Sequence, residues 1–310
     1  MEFRHIPVLF DECIEALSIK SSGIYVDATM GGAGHSCGII NKLSSRGTFV
    51  GIDKDAEAIA AATQKLKYVK CKAHIIKSDF KNYAQILKDL NLTGVDGVLI
   101  DLGVSSHQID SSERGFSYNQ DGPLDMRMNR DDKTSAKDIV NTYSEEELTK
   151  IFFKYGEEPL SRRIAKKIVS ERKEREIKTT VQLADIIKGA VPIKLQLKNN
   201  SVAKIFQALR IETNHELKDL DKCLEDMITS LNSGGRLCVI SFHSLEDRIV
   251  KNIFRKESTD CLCDKNLPIC VCKHKASVKL INKKPIEANP KETEQNKRSS
   301  SAKLRICEKL

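Results

Sequence analysis

The stretch GIYVDATMGGAGHS, residues 23–36, decides the fold of this chain. Its first five residues form an apolar run that ends in Asp27, as a buried strand would, and its glycines allow a sharp turn into a helix predicted over 36–43. Similar segments follow, with strands predicted at 48–53, 73–76 and 95–101 and helices at 55–67 and 81–90. This alternation predicts an α/β fold with a doubly wound parallel sheet, which binds ligands at the carboxyl ends of its strands.

Acidic residues end three of the predicted strands: Asp27, Asp53 and Asp101. Asp53 lies 19 residues after Gly34, a spacing that suits hydrogen bonds to ribose hydroxyls, although a helix cap is the alternative. A dinucleotide fingerprint beginning at Gly32 would require glycine where Cys37 stands. The glycine turn therefore fits S-adenosylmethionine better, because this cofactor has no pyrophosphate and its amino group needs acceptors such as Asp27.

Two segments after later strands carry further candidate groups. In Ser78-Asp79-Phe80, the acid and the aromatic ring could bracket an adenine, or could be a helix cap and a core residue. In DLGVSS, residues 101–106, the Asp101 carboxylate and the loop carbonyls could orient an exocyclic amine for methyl transfer. The Asp/Asn-Pro-Pro-aromatic loop of many amino-methyltransferases is absent, so Asp101 is assigned by position, and a purely cofactor-side acid is the alternative.

The middle of the chain changes character. Residues 102–125 are predicted to be loop, and helices are predicted at 144–154, 159–173, 179–190, 199–211 and 213–231. Ser144 and Glu147 match a capping box. Because no strand interrupts this block, the sequence predicts an inserted helical domain, with boundaries of 1–108 for the first part of the methyltransferase domain, 109–212 for the substrate-recognition insertion and 213–310 for the second part.

The sheet is predicted to resume after Gly234-Gly235, which would end the last helix of that block. A buried strand at 236–242 leads into the segment SFHSLEDR and a helix at 245–256. His243 in this segment could contact the substrate, or could be held by the start of the helix. Strands at 278–281 and 302–307 are predicted to pair antiparallel at the sheet edge, with a loose polar segment at 283–300 between them.

Charge and hydropathy narrow the class of partner. The 310 residues include 51 Lys and Arg against 43 Asp and Glu, a net charge of +8, which favours an anionic partner such as RNA. Basic residues cluster at 160–178 and 273–310, where they could contact phosphates or simply be solvated. Without a signal peptide or a long apolar run, a cytoplasmic protein with no membrane association is expected. The sequence sets no oligomeric state, and a homodimer is compatible with it.

Four of the ten cysteines cluster at positions 261, 263, 270 and 272. Four thiols could close a tetrahedral zinc site, but their C-x-C spacing differs from the usual zinc knuckle. A zinc site and a reduced, redox-sensitive loop both remain open, and no metal ligand is assigned.

Several motifs recur together in one family. They are HIPVL at 5–9, the glycine loop at 31–36, DLGVSS at 101–106, ERGFS at 113–117, DGPLDMRM at 121–128, YGEE at 155–158, FQALR at 206–210 and SFHSLEDR at 241–248. Nearly end to end, the chain resembles the bacterial 16S ribosomal RNA cytosine-N4 methyltransferases, RsmH or MraW.

The resemblance implies a class I, Rossmann-like methyltransferase fold with a helical insertion and S-adenosylmethionine as cofactor. It implies methylation of the exocyclic N4 of a cytosine in the decoding region, with 16S rRNA or the small ribosomal subunit as partner. By position, it implies the following cofactor contacts: Ala33, Gly34, His35, Asp53, Phe80, Asp101 and Gln108. Asp101 and His243 are the catalytic candidates.

One departure from the family concerns Ala33, because many members have glycine there; one added methyl still permits backbone contacts. Two alternatives to a ribosomal RNA methyltransferase remain: a non-catalytic RNA-binding assembly factor that kept the cofactor fold, and a small-molecule methyltransferase. The intact glycine loop, Asp53 and Asp101 argue against the first. The insertion and the positive net charge argue, more weakly, against the second.

Overall fold

A computed structural model describes residues 7–196, 200–264 and 271–310. The chain divides into two compact units, Met1–Gly103 with Lys218–Leu310, and Val104–Leu217. The predicted insertion, 109–212, falls inside the second unit, and its role in substrate recognition remains a prediction. In the described ranges no helix has both the length and the apolar character needed to cross a membrane.

The strands belong to one mixed sheet in the first unit. In chain order they are β1 (Ile24–Asp27), β2 (Thr48–Asp53), β3 (Lys72–Lys77), β4 (Val95–Asp101), β5 (Leu231–Ser241), β6 (Val278–Leu280), β7 (Ile286–Glu287) and β8 (Lys303–Lys309). Their order across the sheet is β3-β2-β1-β4-β5-β8-β6, with β7 also pairing with β8. The first five strands pair in parallel, and β8 runs antiparallel to β5 and β6. The predicted α/β fold with a doubly wound sheet is therefore confirmed.

The helices are, in chain order, α1 (Phe10–Ala16), α2 (Gly34–Lys42), α3 (Ala56–Lys65), α4 (Tyr83–Asp89), α5 (Ser106–Asp110), α6 (Ala136–Thr142), α7 (Glu145–Gly156), α8 (Ser161–Glu174), α9 (Thr180–Ala190), α10 (Ile193–Gln196), α11 (Ser201–Asn214), α12 (Leu220–Ser230), α13 (Ser244–Glu257) and α14 (Pro290–Gln295). Helices α5 to α11 belong to the second unit, and the others belong to the first.

The central strands are apolar because both faces of a parallel sheet are covered by helices. Val98, Leu99 and Ile100 of β4 are fully buried. The register pairs Val26 with Val50 on one side and with Val98 on the other. This parallel register brings the acidic last residues of β1, β2 and β4 to the same edge of the sheet.

The second unit is a helical bundle with its own core. Phe152, Ile168 and Leu209, from α7, α8 and α11, are among its buried residues. Helices α7 and α11 approach closely at Gly156, where a Cβ would lie 2.8 Å from the carbonyl oxygen of Lys204. The predicted capping box at the start of α7 is present.

Two predictions near the return to the sheet are wrong. Gly234 and Gly235 do not end a helix but lie within β5, in the stretch where its register with β4 shifts, and Gly234 adopts a φ of 76°. The helix predicted over 213–231 begins at Leu220, because His215 and Asp219 adopt left-handed conformations with φ of 50° and 58°. These two residues separate α12 from the end of α11.

Two segments predicted to be loop contain regular structure. Residues 283–300 contain β7 and α14. Helix α14 can begin there because the Asn289 side chain caps it by accepting a hydrogen bond from the Glu292 amide. Glu292 in turn accepts a hydrogen bond of 2.8 Å from the amide of Leu9. Residues 102–125 contain the short helix α5, which begins with a capping box at Ser105.

Candidate active site

The site lies where the strand order reverses. Strands β1 and β4 are neighbours, and the chain winds outward from them in opposite directions, so the carboxyl ends of these two strands form the switch point of the sheet. Asp27 ends β1 and Asp101 ends β4. The topology therefore places two of the predicted acidic residues at the position where doubly wound sheets bind ligands.

The turn after β1 connects the acidic strand ends by hydrogen bonds. Thr29 Oγ1 accepts a hydrogen bond of 2.6 Å from the amide of Asp101, and the amide of Gly31 donates one of 2.7 Å to Asp53 Oδ2. Gly31 and Ala33 have φ of 49° and 58°. The turn therefore keeps its left-handed geometry despite alanine at position 33, where many relatives of the resembled family have glycine.

Asp27 is almost completely buried, at 1% exposure. Its carboxylate accepts a hydrogen bond of 2.6 Å from Ser36 Oγ and one of 3.3 Å from the Thr29 amide. The pKa of Asp27 is raised to about 6, chiefly by burial; the hydrogen bonds from Ser36 and Thr29 oppose this rise, and the neighbouring charge of Asp53 adds a smaller contribution to it. Asp27 is thus a carboxyl group that titrates near neutral pH.

Asp53 is oriented by the backbone on both sides. Its two oxygens accept hydrogen bonds from the amides of Gly31 and Asp55, at 2.7 and 2.8 Å. The cap of α3 is Asp55, which accepts a hydrogen bond of 3.0 Å from the Glu57 amide, so Asp53 is not the capping residue. Burial raises the pKa of Asp53. Carboxylate oxygens have further lone pairs, which leaves Asp53 able to accept hydrogen bonds from a ligand.

Asp101 has one carboxylate oxygen without a partner. Its Oδ1 is buried and has no hydrogen-bond partner among the described residues, while Oδ2 lies 3.9 Å from Nδ1 of His35. The pKa of Asp101 is raised well above its usual value by burial first, and then by the charges of Asp27 and Glu246. A buried acceptor left unpaired is costly, and this cost makes Asp101 a strong candidate for contact with a ligand N–H group.

The N-terminal segment packs on the glycine turn, which sequence reasoning did not predict. A Cβ at Gly34 would lie 2.3 Å from Cγ of Pro7, and Nε2 of the buried His35 donates a hydrogen bond of 3.0 Å to the carbonyl of Val8. The ring of His35 also stacks on Phe10 at 6.0 Å. The HIPVL motif ahead of α1 was the available signal, and its His5 and Ile6 lie outside the described residues.

Asp79 and Phe80 follow β3 in a single 3-10 turn. Asp79 caps this turn by accepting a hydrogen bond of 2.9 Å from the Lys81 amide, and Phe80 is half-buried. Asp79 is therefore a helix cap, which was the alternative to adenine binding considered from the sequence. The aromatic ring is not a fully buried core residue and keeps surface that a flat ligand could cover.

His243 caps α13. Its Nδ1 accepts a hydrogen bond of 3.4 Å from the Glu246 amide, and its Nε2 lies 3.1 Å from Oε1 of Glu246. The other oxygen of Glu246 accepts a hydrogen bond of 2.9 Å from the Phe242 amide. The side chains of His243 and Glu246 are only 8% and 2% exposed. Both ring nitrogens of His243 thus face the first turn of α13.

Gln108, the last of the candidate cofactor contacts, belongs to the second unit. Its Oε1 accepts a hydrogen bond of 3.0 Å from the Ser105 amide, and its own amide donates one of 3.2 Å to Ser105 Oγ. The side chain is buried at 5% exposure. Within its unit, Gln108 fixes the start of α5.

The motifs ERGFS and DGPLDMRM form one interlocked loop structure in the second unit. The buried Arg114 donates hydrogen bonds of 3.1 and 2.9 Å to the carbonyls of Arg127 and Met128. At Gly115 a Cβ would lie 2.1 Å from the carbonyl oxygen of Pro123. The specific sequences of these motifs therefore have a structural explanation within the unit.

A strand order of β3-β2-β1-β4-β5-β8-β6 with antiparallel β8, a glycine turn after β1 and acidic ends on β1, β2 and β4 define a class I, S-adenosylmethionine-dependent methyltransferase. The chain belongs to the MraW methylase family, whose model matches residues 2–310. The family resemblance inferred from the sequence is confirmed.

Three relatives, each named Ribosomal RNA small subunit methyltransferase H, show how far the similarity extends. The protein of Clostridioides difficile strain 630 is 51% identical over 311 residues. That of Clostridium botulinum strain Loch Maree is 50% identical over 310 residues, and that of Finegoldia magna is 48% identical over 312 residues. Each alignment covers 100% of both chains. The predicted methyltransferase activity is therefore confirmed, and the non-catalytic alternative is not favoured.

Proposed function

We propose that this enzyme transfers the methyl group of S-adenosylmethionine to the exocyclic N4 amine of a cytosine in the decoding region of 16S ribosomal RNA. The names of the relatives support an RNA of the small ribosomal subunit as substrate. The observation that carries the chemical proposal is Asp101 at the end of β4: its side chain is 27% exposed, and its Oδ1 has no hydrogen-bond partner among the described residues.

The residues at the strand ends fit the cofactor. When bound, S-adenosylmethionine supplies an electrophilic methyl group next to a sulfonium charge. Asp53 would accept hydrogen bonds from the ribose hydroxyls, and Asp27 and the turn through Ala33, Gly34 and His35 would surround the methionine part. The half-buried ring of Phe80 would pack against the adenine. Three carboxyl groups at one edge suit a ligand with an ammonium and a sulfonium charge.

The amine of cytosine needs orientation more than it needs a strong base, because its lone pair is conjugated with the ring. The carboxylate of Asp101, whose side chain is 27% exposed, would accept one N–H of this amine and turn the nitrogen towards the methyl group. The N4 nitrogen gains the methyl group and loses one proton, which can leave after transfer. Gln108 is also proposed as a cofactor contact, on the family resemblance alone.

His243 is proposed to act through Glu246 as a positioning residue. Because His243 caps α13 through the Glu246 amide and its Nε2 lies 3.1 Å from the Glu246 carboxylate, it would help to place the carboxylate whose charge raises the pKa of Asp101. A change at His243 would therefore alter the electrostatics of Asp101 without removing a substrate contact.

The exposed basic face of α8 supports RNA as the partner. Arg162, Arg163 and Lys166 are exposed on this helix, and they would contact phosphates. Lys167, by contrast, pairs with Glu171 at 2.6 Å. RNA binding through this face should weaken as salt rises, because counterions are released on binding.

The test is methyl transfer from labelled S-adenosylmethionine to three substrates: small ribosomal subunits that lack the modification, naked 16S rRNA and free cytidine. Label should appear at N4 of one cytosine of the 16S rRNA, either in the ribosomal subunit or in the naked RNA. Label on free cytidine alone would indicate a small-molecule methyltransferase. If cofactor binds but no substrate is methylated, the RNA assignment is wrong.

A further inference from the structure

The loop between α13 and β6 is closed at its base by the chain itself. Ser277 donates a backbone hydrogen bond of 2.8 Å to the carbonyl of Glu257, and His274 Nε2 donates one of 3.0 Å to the carbonyl of Lys256. Further along, the amide of Ala276 donates to Oδ1 of Asp260 at 3.2 Å. The two arms of the loop therefore run side by side towards its tip.

Three cysteines meet at this tip. The sulfur atoms of Cys261, Cys263 and Cys272 all lie within 4.8 Å of one another, and those of Cys261 and Cys272 are 3.9 Å apart. The backbone supports them reciprocally: the Leu262 amide donates to Cys272 Sγ, and the Val271 amide donates to Cys263 Sγ, both at 3.4 Å. N–H donors directed at sulfur stabilise the thiolate form, which is the form that binds metals.

The separations match a metal site better than a disulfide. Zinc–sulfur bonds of about 2.3 Å in tetrahedral geometry place two ligand sulfurs roughly 3.8 Å apart. The Cys261–Cys272 separation of 3.9 Å is close to this value, whereas a disulfide requires about 2.0 Å. A disulfide would also leave the third sulfur and its amide donor unexplained.

We propose that Cys261, Cys263 and Cys272 bind a zinc ion, which fixes the tip of the loop between α13 and β6. The sequence alone left zinc and a reduced loop open and assigned no metal ligand; the convergence of three sulfurs and the reciprocal amide donors now favour the metal. Binding converts three thiols to thiolates and releases three protons. Cys270 lies outside the described residues and is not part of the assignment.

The site would be structural. It lies on a loop whose cysteines are exposed or half-buried, and neither Asp101 nor the glycine turn belongs to that loop. Zinc would hold the exposed side chains of Leu262 and Val271 in one arrangement without taking part in methyl transfer. Loss of the metal should therefore loosen the loop while the sheet stays folded.

The experiment measures bound metal on the full-length protein. Wild type and the Cys261→Ser, Cys263→Ser and Cys272→Ser variants are purified under reductant, loaded with zinc and dialysed against metal-free buffer, and metal is counted by mass spectrometry. Leu262→Ser is the matched control, because it changes an exposed side chain of the same loop and keeps every sulfur. Wild type and control should retain about one zinc per chain, and each cysteine variant should lose it.

A second measurement needs no variant. Cobalt added to the metal-free wild type should give the charge-transfer absorption of thiolate-bound Co²⁺, and zinc should displace it. Wild type that retains no zinc, equal zinc in all variants, or a Cys261–Cys272 disulfide in protein purified anaerobically would each overturn the proposal.

Discussion

Pro7 covers the glycine turn so closely that a Cβ at Gly34 would lie 2.3 Å from its Cγ. Glycine at position 34 is therefore required by the packing of the N-terminal segment as well as by any ligand. Gly34→Ala must displace this segment, and should lower the free energy of unfolding by about 1–3 kcal/mol through overpacking. Denaturant unfolding measures the change.

Gly32→Ala is the matched control for this prediction, because a Cβ at Gly32 meets no atom of the described residues within 4 Å. The control should change the free energy of unfolding by no more than about 0.5 kcal/mol. Equal stability of the two variants would show that Pro7 does not constrain the turn.

The buried carboxyl of Asp27 should make stability depend on pH. Because burial raises its pKa from 3.8 to about 6, the native state binds this proton more tightly than the unfolded state does. The stabilisation is complete below pH 3.8 and is lost as pH rises through about 6. The shift corresponds to roughly 3 kcal/mol.

Asp27→Asn cannot titrate and removes this dependence. Between pH 4 and 7, the stability of wild type should fall relative to the variant by about 2–3 kcal/mol, a difference that also includes the response of Asp101 to the lost charge. Urea unfolding of both proteins across this range gives the difference. Parallel pH profiles would contradict the assignment.

Arg114 should be important for the stability of the second unit. The residue is 2% exposed and its guanidinium donates to two backbone carbonyls, so Arg114→Met should cost about 2–3 kcal/mol of unfolding free energy. Arg163→Met on the exposed face of α8 is the control and should have little effect. Equal free energies of unfolding in the two variants would show that the hydrogen bonds from Arg114 to these carbonyls do not stabilise the unit.

Two variants of His243 can distinguish its role as a helix cap from a direct contact with the substrate. His243→Ala should lower stability by about 1 kcal/mol, because the α13 amide loses its acceptor, whereas His243→Asn should restore the cap. If His243 acts only by positioning, asparagine also restores most of the methyl-transfer rate at saturating cofactor. A stable but inactive asparagine variant would instead indicate direct contact with the substrate.

The parts of the fold that follow from local pattern were predictable. Strands β1, β2 and β4 are apolar runs between turns, and their predicted bounds agree with the structure to within one residue. Helix α7 was predicted from its capping box. Local periodicity and capping chemistry are sufficient where no distant contact competes with them.

The wrong predictions concern short segments whose sequence is compatible with two different local structures. A Gly-Gly pair commonly ends a helix, but here it accommodates the register shift of β5 against β4. Polar composition suggested a loose segment at 283–300, yet Asn289 caps a helix there. In the same way, the sequence could not distinguish Asp53 from Asp55 as the cap of α3.

The site was only partly predictable for a different reason. The acidic strand ends could be found because parallel strands bring their carboxyl ends together. The contact of Pro7 with Gly34 joins distant parts of the chain and has no periodic signal. The unpaired oxygen of Asp101 depends on packing from several elements, which spacing alone does not reveal.

Asp101 is proposed to orient the amine during methyl transfer. The most direct test of this proposal is the single-turnover rate at saturating S-adenosylmethionine, measured for wild type, Asp101→Ala and the control Asp89→Ala, which changes an exposed acid on α4. Asp101→Ala should lose about 100-fold or more of the rate while still binding cofactor, and Asp89→Ala should match wild type. An unchanged rate in Asp101→Ala would instead leave Asp101 as a cofactor-side acid with no part in catalysis.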